Sequence, residues 1–113
     1  MLIIKELKDI LLASFENNIN RFNILISEDV KKDLNKHLVN SGTKLILNLQ
    51  GVHFIDSSGF GALVSAYKTS KLNNSFFKIC NVSDETMELI HITKLDKVFD
   101  IYDNIDNCII SFE

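Results

Sequence analysis

The chain is expected to fold as a single α/β domain over residues 1–113, a mixed central sheet of four to five strands with helices packed on it. Three observations predict this. Short apolar runs alternate with stretches in which apolar residues recur every three or four positions, the two periods of strand and helix. Strands and helices alternate after an initial hairpin, and right-handed β-α-β crossovers then make several strands parallel. Finally, 113 residues at 46% hydrophobic and 24% charged can bury one core, which argues against disorder.

The elements follow in order. Leu2 to Lys5 reads as a short strand and Ile10 to Phe15 as a second, ended by Glu16-Asn17-Asn18. Ser27 is placed to cap a helix whose apolar face carries Val30, Leu34, His37 and Leu38, with Ser41-Gly42 stopping it. Lys44 to Leu49 is a strand with too few charges for a surface edge. Gly59 to Leu72 is a helix with Phe60, Leu63, Val64, Tyr67 and Leu72 on its apolar face and Ala62 and Ala66 allowing close approach. Asn73-Asn74 ends it, since asparagine tolerates left-handed geometry. Ser75 to Asn81 is the next strand. Ser83 then caps a helix reaching Ile92, with Asp84 and Glu85 in the first turn and Val82 and Met87 at staple spacing. Val98 to Tyr102 is extended. Asn104 caps a short helix carrying Ile105, Cys108, Ile109 and Phe112, a stretch that also reads as a strand. With no proline and four glycines, asparagine does much of the punctuation.

Composition excludes several function classes. The net charge is -3 and Lys31-Lys32 is the densest basic pair, so no electrostatic grip on nucleic acid is expected. Lys5, Glu6, Lys8 and Asp9 cut short the apolar start, and no run approaches the ~20 residues of a membrane span. No leader and no direct membrane insertion are therefore expected, and the cytoplasm is the expected location. Cys80 and Cys108 lie among apolar neighbours and read as reduced core residues. Asp96, Asp100, Asp103 and Asp106 alternate with apolar residues and read as a solvated face.

No catalytic constellation stands out, so the chain is not expected to be an enzyme. Gly42-Thr43-Lys44 lacks most of a phosphate-binding loop, and neither Ser57 nor Ser58 has the flanking glycines of a nucleophile elbow. His37, His53 and His91 are scattered without partners at metal-ligand spacing, so no metal and no cofactor is expected. The most informative residues are Asp56-Ser57-Ser58-Gly59-Phe60-Gly61, which join an apolar strand region to a helix start. A hydroxyl there can face a partner, and a phosphate added there meets backbone N–H groups and the positive end of a helix dipole. Capping by Asp56 or Ser57 is the plainer role for the same residues.

At Leu45 to Leu63, LILNLQGVHFIDSSGFGAL, the sequence resembles the signature of STAS domains, specifically the bacterial anti-sigma factor antagonists. The resemblance continues through Ile79 to Ser83 and Leu95 to Phe99, and the order of elements agrees over nearly the whole chain. It implies a STAS-like fold and a protein-interaction switch. In such antagonists the first serine of the Asp-Ser-Ser/Thr-Gly motif is phosphorylated by a partner that is both anti-sigma factor and serine kinase. The unphosphorylated form binds that partner and frees a sigma factor for transcription, and a PP2C-type phosphatase restores the serine. Carried over, Ser57 is the acceptor, Asp56, Ser58, Gly59, Phe60 and Gly61 form the partner-binding turn, and Asn20, Arg21 and Phe22 match a second partner-facing loop.

The chain departs from the family pattern at two points. The second loop reads Asn17-Asn18-Ile19-Asn20 where the family carries Gly-x-x-Asp, and Asn17 is expected to supply the positive φ. The third helix ends Thr93-Lys94-Leu95 where the family has Thr-Gly-Leu. An alternative function on the same fold is an accessory subunit of a membrane transporter of the lipid-transport ATPase type, docking without a phosphorylation cycle.

Overall fold

Side chains alternate across the pleat, so every second residue of a strand points to each face of a sheet. In a computed structural model of the protein, which describes residues 1–113, that alternation builds cores on both faces. The elements are β1 (Leu2–Leu7), β2 (Ile10–Phe15), β3 (Arg21–Phe22), α1 (Ser27–Leu38), β4 (Lys44–Asn48), β5 (Phe54–Ile55), α2 (Ser57–Leu72), β6 (Phe76–Cys80), α3 (Asp84–Ile92), β7 (Asp100–Tyr102) and α4 (Ile105–Ile110). A five-stranded sheet runs β1-β2-β4-β6-β7. β1 is antiparallel to β2, and the other three pairings are parallel, as the crossover argument requires.

Leu45 and Leu47 of β4, with Phe77 and Ile79 of β6, join Val30, Leu34 and Leu38 of α1 and Ala62, Leu63 and Ala66 of α2 in the main core. Ile46, between the two leucines, belongs to a second cluster with Cys108 of α4 on the opposite face. Each such fully buried aliphatic contributes about 1.5–3 kcal/mol, so the central strand anchors both layers. β4 is buried along nearly its whole length, which is why it carries a continuous apolar run.

Several boundaries differ from expectation. β1 extends to Leu7 because Lys5 and Glu6 still pair, with Leu12 and Leu11, along an open edge where their charges reach water. Ser27 does not cap α1: Ile26 holds that position with no side-chain bond, and Ser27 is the buried first helical residue. Asn23 shapes the entry instead. Its carbonyl accepts the N–H groups of Ile26 (3.1 Å) and Ser27 (2.9 Å), and its Oδ1 accepts Leu25 N–H at 3.1 Å. α2 begins two residues before Gly59, at Ser57. Leu72 is 83% exposed rather than on the core face, because it lies about two and a half turns after Leu63 and so points the opposite way. A two-stranded parallel ribbon, β3 with β5, was not anticipated, since two residues per strand carry no periodicity.

Other expectations hold. Ser83 Oγ accepts Thr86 N–H at 3.2 Å, and Asn74 follows α2 at φ 55°. The final segment is helix rather than strand, with Asn104 Oδ1 accepting Asn107 N–H at 2.8 Å. Cys80 and Cys108 are free and buried. Asp100, Asp103 and Asp106 are exposed, while Asp96 is half-buried and meets His91 Nδ1 at 3.1 Å. Asn17 is not at positive φ: Ile19 N–H bonds the Glu16 carbonyl at 3.0 Å, so the turn closes without left-handed backbone.

Lys94 does take the left-handed conformation, φ 62° and ψ 22°, before a 3-10 turn at Leu95–Lys97 that delays the last strand to Asp100. A side chain there costs about 1 kcal/mol relative to glycine. Lys94→Gly is therefore expected to stabilise the domain by about 1 kcal/mol. An unchanged urea midpoint would show that contacts of the lysine stem offset the strain.

Candidate functional site

The site is a joint between two loops and a helix start. β5 delivers the chain to Asp56, the extended N-cap of α2 (φ -90°, ψ -177°). Asp56 Oδ1 accepts hydrogen bonds from Ser58 Oγ at 2.5 Å and Gly59 N–H at 2.9 Å. Its Oδ2 accepts Ile24 N–H at 3.1 Å, from the segment before α1. The backbone doubles the joint: Asp56 N–H bonds the Phe22 carbonyl at 3.2 Å and His53 N–H bonds the Asn20 carbonyl at 2.9 Å. One carboxylate thus caps the helix and clamps the neighbouring loop to it.

Those donors favour the ionised form. The Ser58 hydroxyl first, then the Gly59 and Ile24 amides, hold Asp56 below its ordinary 3.8. A depressed folded value means that the contribution to stability is complete above about 3.8 and is lost as pH falls through the lower folded value. The Asp56 carboxyl is expected to titrate in NMR with a midpoint below 3.8, with the Gly59 amide reporting the same midpoint. A midpoint at or above that value would mean the clamp is not formed in solution.

The two serines are not equivalent. Ser57, the first residue of α2, is exposed, and its hydroxyl makes no hydrogen bond within the protein. Ser58 is half-buried, with its hydroxyl committed to Asp56. The geometry of Ser58 is that of a group completing the cap.

Gly59 is buried against the second loop. A Cβ there would lie 2.5 Å from the Phe22 carbonyl oxygen and 2.7 Å from Ile55 Cγ2. Gly61, two residues on, is exposed with nothing within 4 Å of an added Cβ. Phe60 is half-buried against the main core.

Asn20 and Arg21 are exposed beside the turn, and the Arg21 guanidinium lies over the Phe54 ring, 5.4 Å from its centroid. Phe22, expected to face a partner, is 0% exposed; its ring packs on Phe15 with centroids 5.3 Å apart. That expectation is corrected: an aromatic in a two-residue strand points one ring inward, and Phe22 holds the loop in place. Sequence reasoning missed Ile24 and Leu25, 73% and 83% exposed, and half-exposed Phe54. Ile24, whose N–H bonds Asp56, and its neighbour Leu25 leave apolar surface at the clamped loop, and Phe54 does so on the strand that leads to Asp56. Two adjacent aliphatics outside any helical or strand period were the available signal.

Comparison with known proteins finds similar chains and a similar fold. A family model described as STAS domain matches residues 3–108. An anti-sigma F factor antagonist of Paenibacillus polymyxa is 30% identical over 69 residues, 61% of this chain and 59% of that protein. An anti-sigma-B factor antagonist of Bacillus subtilis (strain 168) is 33% identical over 64 residues, 57% of this chain and 59% of that protein. The aligned stretches thus span 59% of the length of either relative. The structure of an anti-sigma-factor antagonist (STAS) domain protein from Planctomyces limnophilus superposes with a TM-score of 0.88 at 21% identity, covering 97% of this chain and 96% of that one.

Proposed function

We propose, from the premise that this chain belongs to the STAS domain family, that it is an anti-sigma factor antagonist whose docking is switched by phosphorylation of Ser57. The single observation that carries the reading is the contrast between the exposed, unbonded Ser57 hydroxyl and the Ser58 hydroxyl locked onto Asp56. A kinase can reach the first and must break the helix cap to reach the second. The names of the relatives support an anti-sigma factor as the partner. A serine kinase activity in that partner, and a PP2C-type phosphatase to reset the switch, complete the proposed cycle.

The turn is suited to docking more than to catalysis. Asp56 is the one acidic group bonded into the turn, and both its oxygens already accept hydrogen bonds from the protein. Held below its ordinary range, it is a weak base for activating Ser57. The flanking Ile24, Leu25 and Phe54 supply apolar area of the kind that a partner covers. Asn20, Arg21, Phe60 and Gly61 complete the proposed contact surface, with Asp56, Ser58 and buried Gly59 and Phe22 shaping it from beneath. No helix is long and apolar enough to cross a membrane, and the proposed place of action is the cytoplasm.

Intact-protein mass spectrometry of the chain isolated from its native cell tests the reading. One phosphoryl group is expected on a fraction of the parent protein and none on Ser57→Ala. A modification that survives Ser57→Ala, or its complete absence under every growth condition, would overturn the switch.

A further inference from the structure

The sheet ends in β7, which pairs with β6 alone and leaves its outer edge open. Beside it lies a groove of about 490 Å³. Three consecutive strand residues, Asp100, Ile101 and Tyr102, help line it. Successive strand side chains point to opposite faces, so a groove bounded by all three runs along the edge itself. Met87 of α3 adds apolar wall, and Asp96 and Asp103 add two further carboxylates.

The charge of this groove is one-sided. No lysine, arginine or histidine lines it. Asp96 is engaged with His91 Nδ1 at 3.1 Å, but Asp100 and Asp103 are exposed and form no ion pair. Lys78, opposite Asp100 in the strand register, gives its ammonium to Ser111 Oγ at 2.8 Å instead. The excess is regional: residues 84–113 hold eight of the 15 acidic residues and two of the 12 lysines and arginines. None of these groups takes part in the proposed switch at Ser57.

We propose that the groove docks a basic, extended segment of a protein partner, laid along the β7 edge with lysine or arginine heads on Asp100 and Asp103. An open edge offers backbone N–H and C=O groups to an added strand. The long stems of basic side chains cover half-buried Met87 and Ile101 while their charged ends stay at the wet rim. The same carboxylates repel an identical edge, which disfavours a second copy of this chain as the occupant. The inference rests on the reading of the chain as a protein-docking module and not on phosphorylation of Ser57.

The test titrates isotope-labelled protein with a blocked hexapeptide of alternating leucine and arginine, read by backbone amide NMR, with the leucine–glutamate hexapeptide as control. Shifts are expected at Met87 and along Asp100 to Asp103 with the basic peptide alone. Asp100→Asn with Asp103→Asn is expected to weaken binding about tenfold, the effect of losing two partly exposed ion pairs together. Neither side chain makes a hydrogen bond or ion pair in the fold, so this variant should keep the parent Tm. Glu85→Gln with Glu88→Gln removes the same charge outside the groove and is expected to change affinity by less than about twofold. Ser57→Ala should bind the peptide as the parent does, so failure of the phosphorylation switch and failure of the groove are separate results. No shift at millimolar peptide, or shifts over the whole acidic surface with equal losses in both double variants, would overturn the proposal.

Discussion

Gly59→Ala is expected to destabilise the domain by about 3 kcal/mol, the upper part of the range for overpacking. The added carbon would sit 2.5 Å from the Phe22 carbonyl oxygen, a backbone atom that cannot rotate aside. Moving it means parting β3 from β5 and stretching the Asp56 N–H bond to the same carbonyl. For a domain whose whole stability is of order 5–15 kcal/mol, that is a large fraction. Gly61→Ala is the matched control. It adds a methyl in open space on an exposed helical position, and helix propensity predicts a gain of up to about 1 kcal/mol. Urea unfolding of the two variants should therefore move in opposite directions. Equal midpoints would mean that the turn does not pack against Phe22 as described.

A phosphoryl group on Ser57 is expected to weaken binding of the proposed anti-sigma partner by roughly a hundredfold, equivalent to about 3 kcal/mol. It brings roughly -1.5 to -2 charge onto an exposed hydroxyl next to Asp56, on a proposed contact surface that includes exposed Ile24, Leu25 and Phe54. A partner surface covering those side chains would have to desolvate the phosphate without a countercharge, and uncompensated buried charge costs several kcal/mol. The adjacent residue, Asp56, carries a charge of the same sign. The helix N-terminus favours the anion by about 0.3–1 kcal/mol, so the phosphorylated domain itself should stay folded. Titration calorimetry of the two forms measures the ratio. Comparable affinities, or a phosphorylated form that has lost its helical circular dichroism, would contradict a switch that acts only at the interface.

Much of this fold was legible in the chain. Long elements with strong periodicity, from the β4 apolar run to the spacing of Leu63 and Ala66, announce themselves because burial on one face repeats every two or every three to four residues. Local caps with a short reach, Ser83 to Thr86 and Asn104 to Asn107, were legible for the same reason. The failures share the opposite property. Ser27 is a buried helical residue rather than the cap, with the entry shaped by an asparagine four residues earlier, and the β3–β5 ribbon is defined by partners more than thirty positions apart, Arg21 with Phe54. Leu72 failed because hydrophobicity alone does not fix the angle of a side chain around a helix that continues beyond its core face.

The site divides along the same line. Sequence by itself determined that a carboxylate, two hydroxyls and a glycine sit where a strand becomes a helix, since those identities and their spacing are local. Only the tertiary structure decided what each does. Asp56 bonds Ile24 across thirty-two positions, and that clamp leaves Ser57 open to solvent while Ser58 turns toward the carboxylate. It likewise separates Gly59, pressed against Phe22, from Gly61 in open water, two identical residues in one helix. A helix rotates successive residues by about 100°, so neighbours in the chain face different surroundings, and which surroundings those are depends on segments folded in from elsewhere.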